Sequence, residues 1–198
     1  MSKYMRPVLI GLVVGFVVAF GLGFFYGSIG EGASNTPWYT GAGAGVITAY
    51  ILSNLAGNRA GGASATPDQK RQALAAAPAA GKALLYLYRE GFVAKLAGLN
   101  VNVDGREVVQ LKSPRFTCVT VAAGSHTISA AFGGLAGVQS KPSEVTVDAP
   151  TGGAVAVRIT MKMGAVQGGI ALTPQSDMAA VKLALAKMPM TPADVAEI

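Results

Sequence analysis

LNVNVDGREVVQLK, residues Leu99 to Lys112, is the stretch that decides the fold of this chain. Leu99, Val101 and Val103 alternate with Asn100 and Asn102, so an extended segment here has one apolar and one polar face. Asp104-Gly105 follows at once and is a strong signal for a tight hairpin. Arg106 to Lys112 then returns as the second arm.

Outward from this hairpin the period stays at two. KALLYLYRE (82–90) precedes it, an apolar and aromatic run of strand character. RFTCVTV (115–121) and HTISAAF (126–132) follow, separated by Ala122-Ala123-Gly124-Ser125, and then SEVTVD (143–148), AVAVRITMKM (154–163) and GGIALT (168–173). Seven or eight short strands with turn signals at regular spacing predict a β-sandwich over residues 82–175. A C-terminal helix and tail are expected over 176–198, with Pro174 at the helix start. In SDMAAVKLALAKM, Met178, Val181, Leu185 and Met188 fall on one stripe, as an amphipathic helix requires. On the N-terminal side, residues 58–81 read as a linker with a short helix: GNRAGGASA (57–65) is flexible by composition. Thr66-Pro67-Asp68-Gln69 has the cap, the first-turn proline and the reciprocal glutamine of a capping box.

Residues 1–57 are of another kind. PVLIGLVVGFVVAFGLGFFYGSI, Pro7 to Ile29, carries no charge, and at about 1.5 Å per residue it crosses a hydrocarbon core of about 30 Å. The run exceeds the roughly 7–15 apolar residues of a signal peptide, and the sole cysteine, Cys118, is far from any lipid-acceptor position. A retained span is therefore expected. Trp38 to Leu55 (WYTGAGAGVITAYILSNL) is a weaker candidate, with Thr40, Thr48, Ser53 and Asn54 inside it and Trp38 and Tyr39 as interfacial anchors. Spans of about 7–29 and 38–56, joined by the short Gly30–Pro37 connection, make a transmembrane helical hairpin. The alternative for the second is a peripheral helix packed beside the first. Gly11 and Gly15, Gly23 and Gly27, and Gly41 and Gly45 are each four residues apart. Such pairs form a flat ridge that lets backbones approach, within the hairpin or with other subunits. Gly41 to Gly62 also resembles glycine-zipper membrane hairpins.

Composition agrees. The chain has 198 residues, 51% hydrophobic and only 13% charged, with 26 glycines; soluble chains carry about a quarter charged residues. This excludes intrinsic disorder and points to a membrane. One cysteine excludes a disulfide framework, and one cysteine with one histidine leaves no zinc site of the usual kinds. The net charge of +6 is scattered, without a Lys/Arg run, so anionic lipid rather than nucleic acid is the expected partner. Lys3 and Arg6 precede the first span and Arg59, Lys70 and Arg71 follow the second, while the loop between holds Glu31 alone. The positive-inside rule then puts both ends in the cytoplasm of a bacterial inner membrane. A periplasmic β domain is the alternative if the second segment does not span.

Candidate chemistry is sparse. Ser125 and His126 are neighbours on a strand and point to opposite faces, so they do not make a nucleophile–base pair. Cys118 in TCVTV reads as a small strand residue. Asp104 is explained by its turn and Glu107 by an exposed strand position. Tyr86 and Tyr88 share a face, and with Arg89, Phe92 and Lys95 they could form an aromatic–basic binding surface, although packing within the sandwich explains them more simply. No phosphate-loop, dinucleotide or metal-ligand spacing occurs.

LLYLYRE (84–90), VNVDGREV (101–108), AAGSHTI (122–128), VAVRITMKMG (155–164) and LTPQSDMAAVKL (172–183) together resemble a bacterial family of unknown function related in pattern to PEGA β-sandwich domains. Ala123-Gly124 stands where that family usually has proline-glycine. Its members often follow a lipoprotein signal, which would imply a periplasmic domain; this chain has the hairpin in its place. The resemblance covers just over half the chain and implies a β-sandwich with a membrane-tethered role in the envelope, without catalytic residues. The expectation is thus a non-enzymatic, cofactor-free membrane-anchored scaffold, an accessory subunit of a larger assembly or a homo-oligomer. The second expectation is an envelope module that binds glycan or polypeptide through Tyr86 and Tyr88.

Overall fold

A computed structural model describes residues 4–30, 34–58, 64–133, 137, 142–162 and 169–198. Lys3, Glu31 and Arg59, on which the orientation reading leans, lie outside them, as do Gly134, Met163, Gly164 and Gly168. The chain divides into two compact units, Met1–Gly57 and Asn58–Ile198.

The first unit holds two helices, α1 (Met5–Ser28) and α2 (Thr36–Leu55). Among the described residues, α1 is the one helix long and apolar enough to cross a membrane. The two helices run antiparallel: Gly11 lies against Gly45 and Ala49, Gly15 against Gly41 and Gly45, and Gly41 against Ala19. Their outer faces carry Leu12, Phe16, Phe20, Trp38, Val46 and Ile47, all exposed. A helix apolar all round is what a lipid surrounding stabilises.

The second unit begins with α3 (Pro67–Ala75), where the capping box is formed: Gln69 N–H donates to Thr66 Oγ1 at 3.2 Å, and Thr66 N–H donates to Gln69 Oε1 at 2.8 Å. Eight strands follow: β1 (Lys82–Arg89), β2 (Leu99–Val103), β3 (Arg106–Leu111), β4 (Arg115–Ala122), β5 (Gly124–Phe132), β6 (Ser143–Ala149), β7 (Ala154–Lys162) and β8 (Gly169–Gln175). They form two four-stranded sheets, ordered β4-β1-β7-β8 and β3-β2-β5-β6. All ladders are antiparallel except β1–β7. Asp104 and Gly105 have φ of 51° and 79°, the two positive values that the tight β2–β3 turn demands.

Leu85 and Leu87 of β1, Val101 and Val103 of β2, and Ile128 and Ile159 meet between the sheets in a fully buried core. The outer face of the second sheet is polar, with Asn100, Asn102 and Ser129 along it. The outer face of the first is covered instead. A second cluster joins Leu84, Tyr86, Tyr88 and Phe116 to Val181 and Leu185 of α4 (Met178–Ala186), with Leu74 of α3 packed against it. The domain is a mainly β sandwich with a helical layer on one sheet.

Helix α4 begins later than Pro174 suggests. Pro174 is a strand residue opposite Val157, and Asp177 is the cap, accepting from Ala180 N–H at 2.9 Å. Strand β8 is a sheet edge, where a residue without an N–H is tolerated.

Candidate functional site

The glycine seam is the closest approach of the first unit. A Cβ added at Gly11 would stand 2.6 Å from Gly45 O, one at Gly15 2.8 Å from Gly41 O, and one at Gly45 2.7 Å from Gly11 O. Each is too near a backbone atom to be relieved by a side-chain shift. The structure therefore brings four of the six expected packing glycines, Gly11, Gly15, Gly41 and Gly45, onto one α1–α2 contact. Gly23 and Gly27 are not part of it: a Cβ at either would meet nothing within 4 Å. The ridge that their spacing makes is on the same helix, but α2 does not lie against it.

The expected tyrosine face is not a surface. Tyr86 is fully buried and Tyr88 only 5% exposed. They do share a face, but it is the one roofed by the helices. Tyr86 Oη donates to Ala73 O of α3 at 2.7 Å, and burial raises its pKa, helped by the adjacent Cys118 thiol. This corrects the aromatic-surface expectation. The unbroken run ALLYLY carries the reason: a strand apolar at every position has both faces covered. The binding module built on Tyr86 and Tyr88 loses its sequence support with them.

The remaining candidates are held structurally. His126 Nδ1 lies 2.6 Å from Asp104 Oδ2, and Nε2 lies 2.8 Å from Ala122 O. Both partners accept, so the doubly protonated ring satisfies both nitrogens. Burial pulls the His126 pKa down, but the Asp104 carboxylate and the Ala122 carbonyl outweigh it, and the net shift is up. For Asp104, burial raises the pKa, and His126 with the Thr127 N–H outweigh it, for a net shift down. Thr127 N–H donates to Asp104 Oδ1 at 2.9 Å, so the carboxylate fastens the β2–β3 turn to β5. Ser125 is exposed while His126 is buried, and neither ring nitrogen is free to act on it. Burial pushes the Cys118 thiol up to about 11, away from the thiolate that reactivity needs. Among the described residues no three His, Cys, Asp or Glu side chains gather in a metal-holding group.

Sequence reasoning placed Arg89 with the tyrosines, and the structure separates them. Arg89 follows Leu85 and Leu87 on the inner face of β1 and is fully buried. Burial lowers its pKa to about 10, which leaves it charged at neutral pH. Its guanidinium lies 5.9 Å from the centroid of the Phe132 ring and donates to backbone carbonyls alone: Ala97 O at 2.5 Å, Leu111 O at 3.0 Å and Ala94 O at 2.8 Å. Phe92 and Lys95 stand on the loop above it and are exposed. The signal available in the sequence was the period itself, which puts residue 89 on the face opposite 86 and 88.

No protein-family model matches the chain, and no curated protein is detectably similar to it.

Proposed function

We propose that this chain is a non-enzymatic membrane-anchored scaffold, an accessory subunit of a larger membrane assembly or a homo-oligomer. The observation that carries the reading is the first unit. A 24-residue helix, α1, uncharged from Pro7 onward with Arg6 at its start, packs through glycine on α2, and both turn large apolar side chains outward. On this reading α2 crosses the membrane beside α1, because a helix pressed along a lipid-spanning partner shares its surroundings. With Gly11, Gly15, Gly41 and Gly45 used between the two helices, contacts to other subunits fall to the outer faces, where Gly23 and Gly27 lie open. The β unit, a PEGA-like sandwich on this reading, then offers its polar sheet face and loops to partners. Arg6, Lys70 and Arg71 favour a cytoplasmic side in a bacterial inner membrane; the periplasm is the alternative. The candidate catalytic groups support a structural role, since His126, Asp104 and Tyr86 spend their polar atoms on the fold.

Native mass spectrometry after mild-detergent extraction from the source membrane tests this. Recovery with defined other subunits, or as a homo-oligomer, is expected. A partnerless monomer overturns it.

A further inference from the structure

The loop joining β1 to β2, residues 90–98, holds Phe92, Val93 and Leu96 at 86%, 40% and 72% exposure. Single exposed apolar residues are ordinary, but three within five positions at a loop tip form a patch that wants a partner. The loop is also braced from below. Arg89 binds the carbonyls of Ala94 and Ala97, and Ala94 keeps a φ of 52°, a left-handed conformation unfavourable for a residue with a Cβ. Ser113 Oγ donates to Gly91 O at 2.7 Å. Asn58 closes the loop from its own side: Nδ2 donates to Leu96 O at 2.9 Å, and Oδ1 accepts from Gly98 N–H at 2.5 Å. A buried cation and three further side-chain polar atoms thus hold an apolar tip in place.

Two observations choose what covers it. Asn58 is the first residue of the β unit, so the tip is bonded to the residue that follows the helical unit in the chain. The charge near it is net basic: Lys95 is exposed on the loop, Lys112 adjoins the Ser113 that ties Gly91, and Glu90 at the foot of the loop is paired with Arg158. We propose that Phe92, Val93 and Leu96 dip into the interfacial layer of an anionic bilayer, with Lys95 among the headgroups. Such insertion gains from apolar burial and from attraction to acidic lipid together. The proposal rests on the reading of the chain as membrane-anchored.

The test uses the full chain in vesicles of phosphatidylcholine and phosphatidylserine. A polarity-sensitive fluorophore is attached at Phe92→Cys, Leu96→Cys or Ser125→Cys. Ser125 is exposed beside the turn that Lys82 adjoins, at the other end of β1 from Arg89. The wild-type chain, whose Cys118 is largely covered, is the blank. Insertion to a depth of about 5–10 Å should let lipids brominated on the acyl chain quench the probes at 92 and 96 about twofold, and leave the probe at 125 unchanged. Equal, unquenched emission at all three sites, in protein that resists alkaline extraction, overturns the insertion while the anchoring stands. Extraction at alkaline pH overturns both. Probes at 92 and 96 that are shielded in source membranes but unquenched by brominated lipid also overturn the proposal and name a protein as the cover.

Discussion

At the scale of single residues, Arg89, Ser113 and Tyr86 bond backbone carbonyls, while His126 and Asp104 bond backbone and each other. His126 and Asp104 tie a turn to a strand, and their shifts fix how that tie responds to pH. The folded His126 pKa lies above its ordinary 6.5, so its contribution is complete below that value and is lost as pH rises through the folded pKa. The folded Asp104 pKa lies below its ordinary 3.8, so its contribution is complete above that value and is lost as pH falls through the folded pKa. The pair therefore stabilises most between those two ordinary values. Because the Asp104 side chain is 40% exposed, solvent screening keeps the gain under about 1 kcal/mol. Asp104→Asn keeps a residue that tolerates the positive φ and removes only the charge. Thermal unfolding should show the variant weaker than wild type at mildly acidic pH, with the gap closing at alkaline pH; parallel curves at all pH values would show that the charge contributes nothing. Arg89 is the larger stake. Arg89→Met strands the carbonyls of Ala97 and Leu111 under the loop, while Ala94 O keeps the Ala97 N–H, and at about 1–3 kcal/mol for each orphan the loss should exceed about 2 kcal/mol. Arg89→Lys should fall between, since an ammonium lacks the planar fork that reaches carbonyls on two sides. Denaturant titration of the three proteins checks the order.

Elements show where the sequence was legible and where it was not. The eight strands were readable because each alternates or is bounded by turn formers, and the Thr66–Gln69 capping box because its residues act on one another locally. The fate of Tyr86 and Tyr88 was not, because it depends on α3 and α4, which arrive from 13 residues before Tyr86 in the case of Ala73 and from the far end of the chain in the case of Leu185. Periodicity says that two residues share a face; it does not say what covers the face. Pro174 misled for a similar reason, since proline opens a helix or sits on a sheet edge, and only the sheet order decides. The glycines make the same point within one helix. Equal spacing at Gly11/Gly15 and Gly23/Gly27 gave equal expectation, and α2 meets only the first pair. Gly11→Ala and Gly41→Ala should accordingly force α1 and α2 apart and lower the thermal stability of the detergent-solubilised protein. Gly23→Ala and Gly27→Ala should leave it unchanged or slightly raised, given that alanine is the better helix former by about 1 kcal/mol. Four equal responses would mean that the α1–α2 seam carries no stability.

For the β unit as a whole, the question is how two separate sheets are kept closed on the side where β3 and β4 are both edges. The chain's last residues lace that side. Thr191 N–H donates to Phe116 O at 2.8 Å and Ile198 N–H to Thr120 O at 2.9 Å, both on β4, while Thr120 N–H donates to Ala196 O at 3.0 Å. Between them Asp194 N–H donates to Val108 O of β3 at 2.8 Å, so one segment bonds both sheets. Lys82 Nζ meets Glu197 Oε1 at 2.8 Å, and Ile198 packs against the core between the sheets. A bare β4 would present a row of unpaired backbone groups next to that core, which is the usual template for pairing with another chain. Removal of residues 192–198 should therefore do two things together. Hydrogen exchange at Thr120 and along β3 should rise toward that of exposed loops, and the purified protein should self-associate beyond the state of the full chain in the same detergent. Faster exchange without association would mean that something other than the tail keeps β4 from pairing with another chain. Association without faster exchange would place the new contact away from this edge.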